Sequence, residues 1–173
     1  MYELLAIMAG LVVVGFFMKG ATGLASISPE EPRTAKPATL DDQIRAAAEK
    51  NGVPFEILKA VVKKESNFNP KAWNDERKKG DDSDDAIGLM QIRQGALTDY
   101  NRAHGTTWMI AALYDPEINL EVGSWYLGSL IKKHGVNPGI EMYNVGETGY
   151  LRKGVRNTAY LAFVVKHSEN YSA

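Results

Sequence analysis

Pro54-Phe55-Glu56-Ile57-Leu58-Lys59-Ala60-Val61-Val62-Lys63-Lys64-Glu65 is the stretch from which the rest of the chain can be read. Leu58, Val61, Val62 and Glu65 fall at i, i+3, i+4 and i+7, the spacing that puts four side chains on one stripe of an α-helix. Glu56, Lys59, Lys63 and Lys64 lie off that stripe, so this is an amphipathic helix whose charges face water, with one exception. Glu65 ends the apolar stripe. A carboxyl group withdrawn from water is harder to ionise, and a glutamic acid kept protonated near neutral pH is suited to general acid catalysis. The same spacing also fits a glutamate at a fraying helix end that turns to solvent or pairs with a cation, and periodicity alone does not separate the two.

Working outward, the pattern stays helical. Thr39 with Asp42 resembles a capping box before Ile44, Ala47 and Ala48, and Asn51-Gly52 supplies a stop. Asp115-Pro116 reads as an N-cap followed by proline in the first turn, leading into Ile118, Val122, Trp125, Tyr126 and Leu130 on one face, with Gly135 as terminator. Further helices are predicted from Asn137-Pro138 to Tyr143 and from Asn157 to His167, the last aligning Tyr160, Phe163 and Val164. Few β-branched alternating runs interrupt this, so the fold class is all-α. With 173 residues, the chain suffices for one well-buried domain, over 40–173, and is short for two.

Ahead of that domain, Leu4 to Met18 carries no charge and reads as a membrane-directed helix. Fifteen residues span about 22 Å at the helical rise, less than the roughly 30 Å hydrocarbon core, unless Lys19 snorkels and the residues to Ile27 extend the span. Residues 1–27 are therefore an anchor or a signal segment. Met1-Tyr2-Glu3 lacks the positive flank of a secretory signal, although cleavage after Ala25 is open, and an uncleaved anchor fits the flanks better. Residues 28–39, with three prolines, form a linker.

Composition removes several function classes. The 20 Lys and Arg against 21 Asp and Glu leave no electrostatic footprint for nucleic acid. The absence of cysteine excludes disulfides, thiolate metal sites and thiol nucleophiles. His104, His134 and His167 lack metal-ligand spacing, so no metal is expected. Asp81, Ser83 and Asp85 alternate like calcium ligands, but Ala86 stands where the loop requires glycine and Ile92 where it requires a closing glutamate. The polar run from Asn74 to Asp85 is read as a surface loop or flap.

Four strings, in order, resemble the soluble lytic transglycosylase domain family, relatives of goose-type lysozyme. They are Glu65-Ser66 with Asn67-Phe68-Asn69-Pro70; Gly88-Leu89-Met90-Gln91-Ile92; Asp115-Pro116-Glu117-Ile118-Asn119-Leu120 with Tyr126-Leu127; and Tyr143-Asn144-Val145-Gly146. The resemblance implies a lysozyme-like α fold holding a peptidoglycan strand in a groove, without a cofactor. It further implies that Glu65 protonates the glycosidic oxygen between N-acetylmuramic acid and N-acetylglucosamine, then acts as base toward the muramic C6 hydroxyl, giving a 1,6-anhydro product. Tyr143 is expected to hold the Glu65 carboxyl, with Tyr160 as a second such tyrosine. Ser66, Gly88, Met90, Gln91, Asn119, Tyr126, Asn144 and Tyr160 are the expected substrate-binding residues, although core packing is the competing reading for Tyr126 and Tyr160 and a structural role for Ser66 and Asn119.

The chain departs from the family in a longer, more acidic stretch between Glu65 and Gly88, in Met142 before the tyrosine, and in Glu147 after Gly146. Glu147 or Asp85 could supply a second carboxylate to position water, which would make the enzyme a goose-type hydrolase of the same bond. Glu147 is otherwise an exposed loop charge. Two non-enzymatic readings stand beside these: a wall-binding protein that keeps the groove without the chemistry, and a membrane-disrupting protein acting through residues 4–18. The expected setting is a membrane-anchored domain facing the periplasm or cell wall with an envelope machine, or a phage virion with its entry proteins.

Overall fold

The computed structural model describes residues 38–74 and 85–172. The anchor or signal segment at 1–27, most of the 28–39 linker, and Asp81 and Ser83 lie outside the described residues. Among the described residues no helix is long and apolar enough to cross a membrane.

The described part is helical, with a two-stranded hairpin set into it. In chain order it runs α1 (Leu40–Asn51), α2 (Phe55–Ser66), β1 (Trp73–Asn74), β2 (Ala86–Ile87), α3 (Gln94–His104), a short 3-10 helix (Ile110–Tyr114), α4 (Pro116–His134), α5 (Val136–Val145), α6 (Glu147–Lys153) and α7 (Thr158–Glu169). Local chemistry sets the ends of the helices. The Thr39–Asp42 capping box closes in both directions, and Gly52 takes the left-handed conformation that lets its N–H reach the last carbonyls of α1. Asp115 caps α4 through the N–H groups of Glu117 and Ile118, with Pro116 in the first turn.

Helix α4 is the centre. Its buried residues, among them Leu120, Val122, Ser124, Leu127 and Leu130, cover most of its circumference, as expected of a helix enclosed by others. Helices α1, α3 and α5 pack around it, while α7 lies against α2. Ile44, Leu58, Leu89, Leu97, Leu127 and Ile140 are fully buried at the shared core, each contributing about 1.5–3 kcal/mol by leaving water. Among the described residues two polar contacts join α1 to α4: Asn51 Nδ2 donates to Ser124 Oγ at 2.8 Å, and Lys50 Nζ pairs with Glu121 Oε2 at 2.8 Å.

The hairpin pairs Trp73 with Ile87 and Asn74 with Ala86, antiparallel. Ile87 then exchanges backbone bonds with Ile92, at 3.0 and 2.9 Å, and so closes the turn through Gly88-Leu89-Met90-Gln91. Strands of two residues are too short to show alternation, and sequence periodicity gives no sign of them.

Candidate active site

Glu65 sits at the last turn of α2, where the apolar stripe of Leu58, Val61 and Val62 carries it to the edge of the core; it is half-buried. The chain leaves the helix abruptly. Asn67, at φ 51°, and Phe68, at φ 66°, both adopt left-handed backbone, which costs non-glycine residues about 1–3 kcal/mol each. Asn67 N–H closes the helix on the Lys63 carbonyl, and Phe68 packs against the core.

Two depressions meet at this point, sharing Glu65, Asn74 and Gln91 in their walls. The first arm, of about 580 Å³, runs past Arg93, Asp99, Tyr126, Tyr143 and Asn144. The second runs past Ser66, Asn69, Lys71 and Trp73. Glu65 thus lies at the junction of an extended groove rather than at the bottom of a closed pocket.

The contacts of the carboxyl differ from the expected ones. Tyr160, from α7 and only 3% exposed, donates its hydroxyl to Glu65 Oε1 at 2.5 Å. Tyr143 instead donates to the Met90 carbonyl at 2.7 Å, tying α5 to the turn at 88–91. The expected grip of Tyr143 on the glutamate is therefore corrected, while Tyr160 takes the role of the second such tyrosine and not that of a substrate-binding residue. The packing of α7 on α2 brings Tyr160 under the carboxyl, and burial there denies it access to a ligand. Burial first, and the Glu65 charge second, push both phenols well above the ordinary 10, so each stays a donor.

Gln91, Tyr126, Asn144 and Ser66 line the groove with Glu65. Gln91 is held at φ 49°, and its Nε2 donates to the Gly88 carbonyl at 3.1 Å. Tyr126 stands beside Tyr143, ring centres 5.7 Å apart. Asn144 Oδ1 accepts from Asn157 Nδ2 at 2.8 Å, and Asn157 caps α7 through the Tyr160 N–H at 3.0 Å. The sequence pattern marks Asn157 only as a helix start. Its second bond couples the groove wall to the helix that supplies Tyr160, a long-range pairing with no sequence signature.

Three expected groove residues lie beneath the surface instead. Asn119 is fully buried: its Oδ1 accepts from Met90 N–H at 2.8 Å, and its Nδ2 donates to the carbonyls of Ile87 and Leu113 at 2.8 and 2.9 Å. Gly88, at φ 77°, backs onto that amide, and an added Cβ would meet Asn119 Nδ2 at 2.2 Å. Met90 is fully buried against Gly123 of α4. All three build the turn that positions Gln91 and do not face a ligand.

The proposed second carboxylates have other partners. Glu147 is not a loop charge: it opens α6 and takes Lys133 Nζ at 2.7 Å and His134 Nε2 at 2.6 Å, hydrogen bonds that pull its pKa below the usual carboxylate value. Asp85 Oδ2 accepts from Trp73 Nε1 at 3.0 Å.

A central buried helix, a half-buried glutamate above a buried phenol, and a groove running to either side of it define a helical, lysozyme-like domain with a carboxyl at the middle of its groove. Residues 42–162 match the family described as the Transglycosylase SLT domain, and the chain belongs to that family. It is 34% identical over 92 residues to a membrane-bound lytic murein transglycosylase C of Edwardsiella ictaluri, a match covering 51% of this chain and 23% of that protein. It is also 34% identical over 96 residues to a membrane-bound lytic murein transglycosylase E of Buchnera aphidicola, covering 54% and 40%. The matches thus span less than half the length of these relatives. The fold is shared with the lytic transglycosylase Slt of Pseudomonas aeruginosa (TM-score 0.57, 20% identity, 78% of this chain and 23% of that one) and with the 70-kDa soluble lytic transglycosylase of Escherichia coli (TM-score 0.57, 24% identity, 77% and 22%).

Proposed function

We propose that this chain is a peptidoglycan lytic transglycosylase with Glu65 as its acid and base. The observation that carries the reading is the place of Glu65 at the junction of the two groove arms, where a strand lying along both would cross it with a glycosidic bond. Glu65 as the acid gives its proton to the bridging oxygen as the bond to the anomeric carbon breaks. The resulting carboxylate takes the proton of the muramic C6 hydroxyl, whose oxygen closes on the anomeric carbon to give the 1,6-anhydro end. Tyr160 holds Oε1 throughout, and Gln91, Tyr126 and Asn144 contact the sugars. Water is not consumed, which agrees with Glu147 and Asp85 having partners of their own. Membership of the transglycosylase family supports the reading, as do the names of its relatives.

The test is digestion of purified peptidoglycan by the full chain and by Glu65→Gln, with the released ends identified by mass spectrometry. Anhydromuramic ends that vanish in the variant are the expected result. Reducing ends would mean hydrolysis, and release undiminished by the substitution would remove Glu65 from the chemistry.

In this reading residues 4–18 tether the domain to a membrane beside the wall, in keeping with relatives named as membrane-bound. The full chain then sediments with membranes, and deleting 4–18 releases it; sedimentation unchanged by the deletion would refute the tether.

A further inference from the structure

Helix α6 differs from the other helices in that none of its side chains is buried. Leu151 is 56% exposed, and Val155, just past the end of the helix, 43%. Core packing does not account for these apolar residues, and no residue of 147–157 lines either arm of the groove. The run Leu151-Arg152-Lys153-Gly154-Val155-Arg156 interleaves them with cations. Its charge is one-sided. The only carboxylate between 147 and 157 is Glu147, already taken by Lys133 and His134. Arg152 and Lys153, exposed in the last turn, pair with no carboxylate among the described residues. Arg156 folds back over the Tyr150 ring, 3.4 Å from its centre, and donates to the carbonyls of Tyr150 and Val155 at 2.8 and 2.9 Å, which holds a third cation at the same end. Cations alone would suit any polyanion. Interleaved with exposed aliphatic residues they match a membrane interface, where the aliphatic groups enter the acyl boundary and the cations meet lipid phosphates.

We propose that the 151–156 end of α6 is a docking surface for an anionic lipid bilayer, with Leu151 and Val155 entering the interface and Arg152, Lys153 and Arg156 meeting the phosphates. The proposal rests on the tether reading above and adds to it a second point of contact with the same membrane. A patch this small binds weakly by itself. A chain already held at the bilayer by residues 4–18 presents it at a high effective concentration, so weak docking suffices. Two contacts fix which side of the domain turns to the bilayer, which a single tether through a proline-containing linker does not.

The chain has no cysteine, so Thr148→Cys, exposed and one turn before Leu151 and Arg152, carries a single environment-sensitive fluorophore. The labelled full chain is bound to preformed vesicles of phosphatidylcholine, alone or mixed with phosphatidylglycerol, that contain a spin-labelled quenching lipid. Sedimentation reads the tether and quenching reads α6. Quenching is expected on the anionic vesicles and not on the neutral ones, and it should fall as salt rises from about 50 to 300 mM. Arg152 and Lys153 make no side-chain hydrogen bond among the described residues, so Arg152→Gln with Lys153→Gln leaves the fold alone. That pair of substitutions should lower the ratio of docked to free α6 about 25-fold, a factor of about five for each cation. The charge-preserving exchange Arg152→Lys with Lys153→Arg should keep the ratio, and Leu151→Gln should lower it. Sedimentation without quenching, equal quenching on both kinds of vesicle, or quenching that survives the substitutions to glutamine would overturn the docking surface and leave the tether standing. A fluorophore that responds to purified peptidoglycan and not to anionic vesicles would give the patch to the wall and overturn the proposal. A chain that sediments with neither vesicle would overturn both the surface and the tether.

Discussion

The hydroxyl of Tyr160 is 2.5 Å from Glu65 Oε1, and the phenol remains a donor because burial and the neighbouring carboxylate both oppose its ionisation. A donated hydrogen bond favours the charged carboxylate over the acid and fixes which oxygen faces the groove. Tyr160 is thus a positioning residue acting through Glu65. Tyr160→Phe keeps the ring packing and removes one bond, so kcat should fall by about 10–100-fold, the range of a hydrogen bond to a charged group, with little change in melting temperature. The alkaline limb of the pH–rate profile should move upward, because the loss of a donor favours the protonated glutamic acid. A profile that keeps its shape while kcat falls would indicate a packing role. That Glu65 belonged at a boundary between core and water was legible in its helical spacing. Which tyrosine would meet it was not, since Tyr143 and Tyr160 are both aromatic residues on helices and only the docking of α7 on α2 distinguishes them.

At the level of elements, the turn at 88–91 is the part on which the site most depends, and Asn119 of α4 holds it. One side chain makes three buried hydrogen bonds, to the Met90 N–H and the carbonyls of Ile87 and Leu113, with Gly88 pressed against it. Asn119→Ala would leave a buried N–H and two carbonyls without partners in a dry place, a loss of about 2–4 kcal/mol from polar groups left unsatisfied. Thermal denaturation should show a drop of several degrees or more, and Gln91, held at a left-handed φ by the turn, should lose its place, so that glycan binding weakens with stability. A melting temperature within one degree of the parent would show that the turn stands without α4. The sequence carried Gly88, Met90 and Asn119 within motif strings but did not reveal that they contact one another, because a side chain and a turn about thirty residues apart meet only when α4 is placed. Helix α3 and the short α6 were not individually legible for a different reason. The N-caps of both, Arg93 and Gly146, make no side-chain capping bond, and α6 has no buried residue to mark a stripe.

Across the whole molecule, four tyrosines, Tyr100, Tyr126, Tyr143 and Tyr160, are shifted upward from the ordinary 10, in each case chiefly by burial. In the unfolded chain they ionise near 10; folded, they retain their protons to higher pH. Unfolding near and above pH 10 therefore releases protons, and stability falls as pH rises through the unfolded toward the folded values, whereas more than about a unit below pH 10 these groups contribute no pH dependence. Urea midpoints measured at about pH 7.5, 8.5 and 11 should carry no tyrosine contribution to any difference between the first two and be clearly lower for the third. Absorbance at the tyrosinate band should show part of the tyrosine complement resisting ionisation until the protein unfolds. Full ionisation at pH 11 with the fold intact would contradict the burial of these phenols.

The amino-acid sequence by itself determined the helical class, the ends of α1 and α4, the start of α2 and the position of a glutamate at the edge of its apolar stripe. Those follow from interactions within three or four residues, where capping oxygens, left-handed glycine and a 3.6-residue period act. Only the tertiary structure decided that Tyr160 holds Glu65, that Asn119 and Met90 lie under the groove, and that Glu147 pairs with Lys133 and His134. Each of these is a choice among chemically similar side chains distant in sequence, and it is made by which helix faces pack together rather than by any local preference.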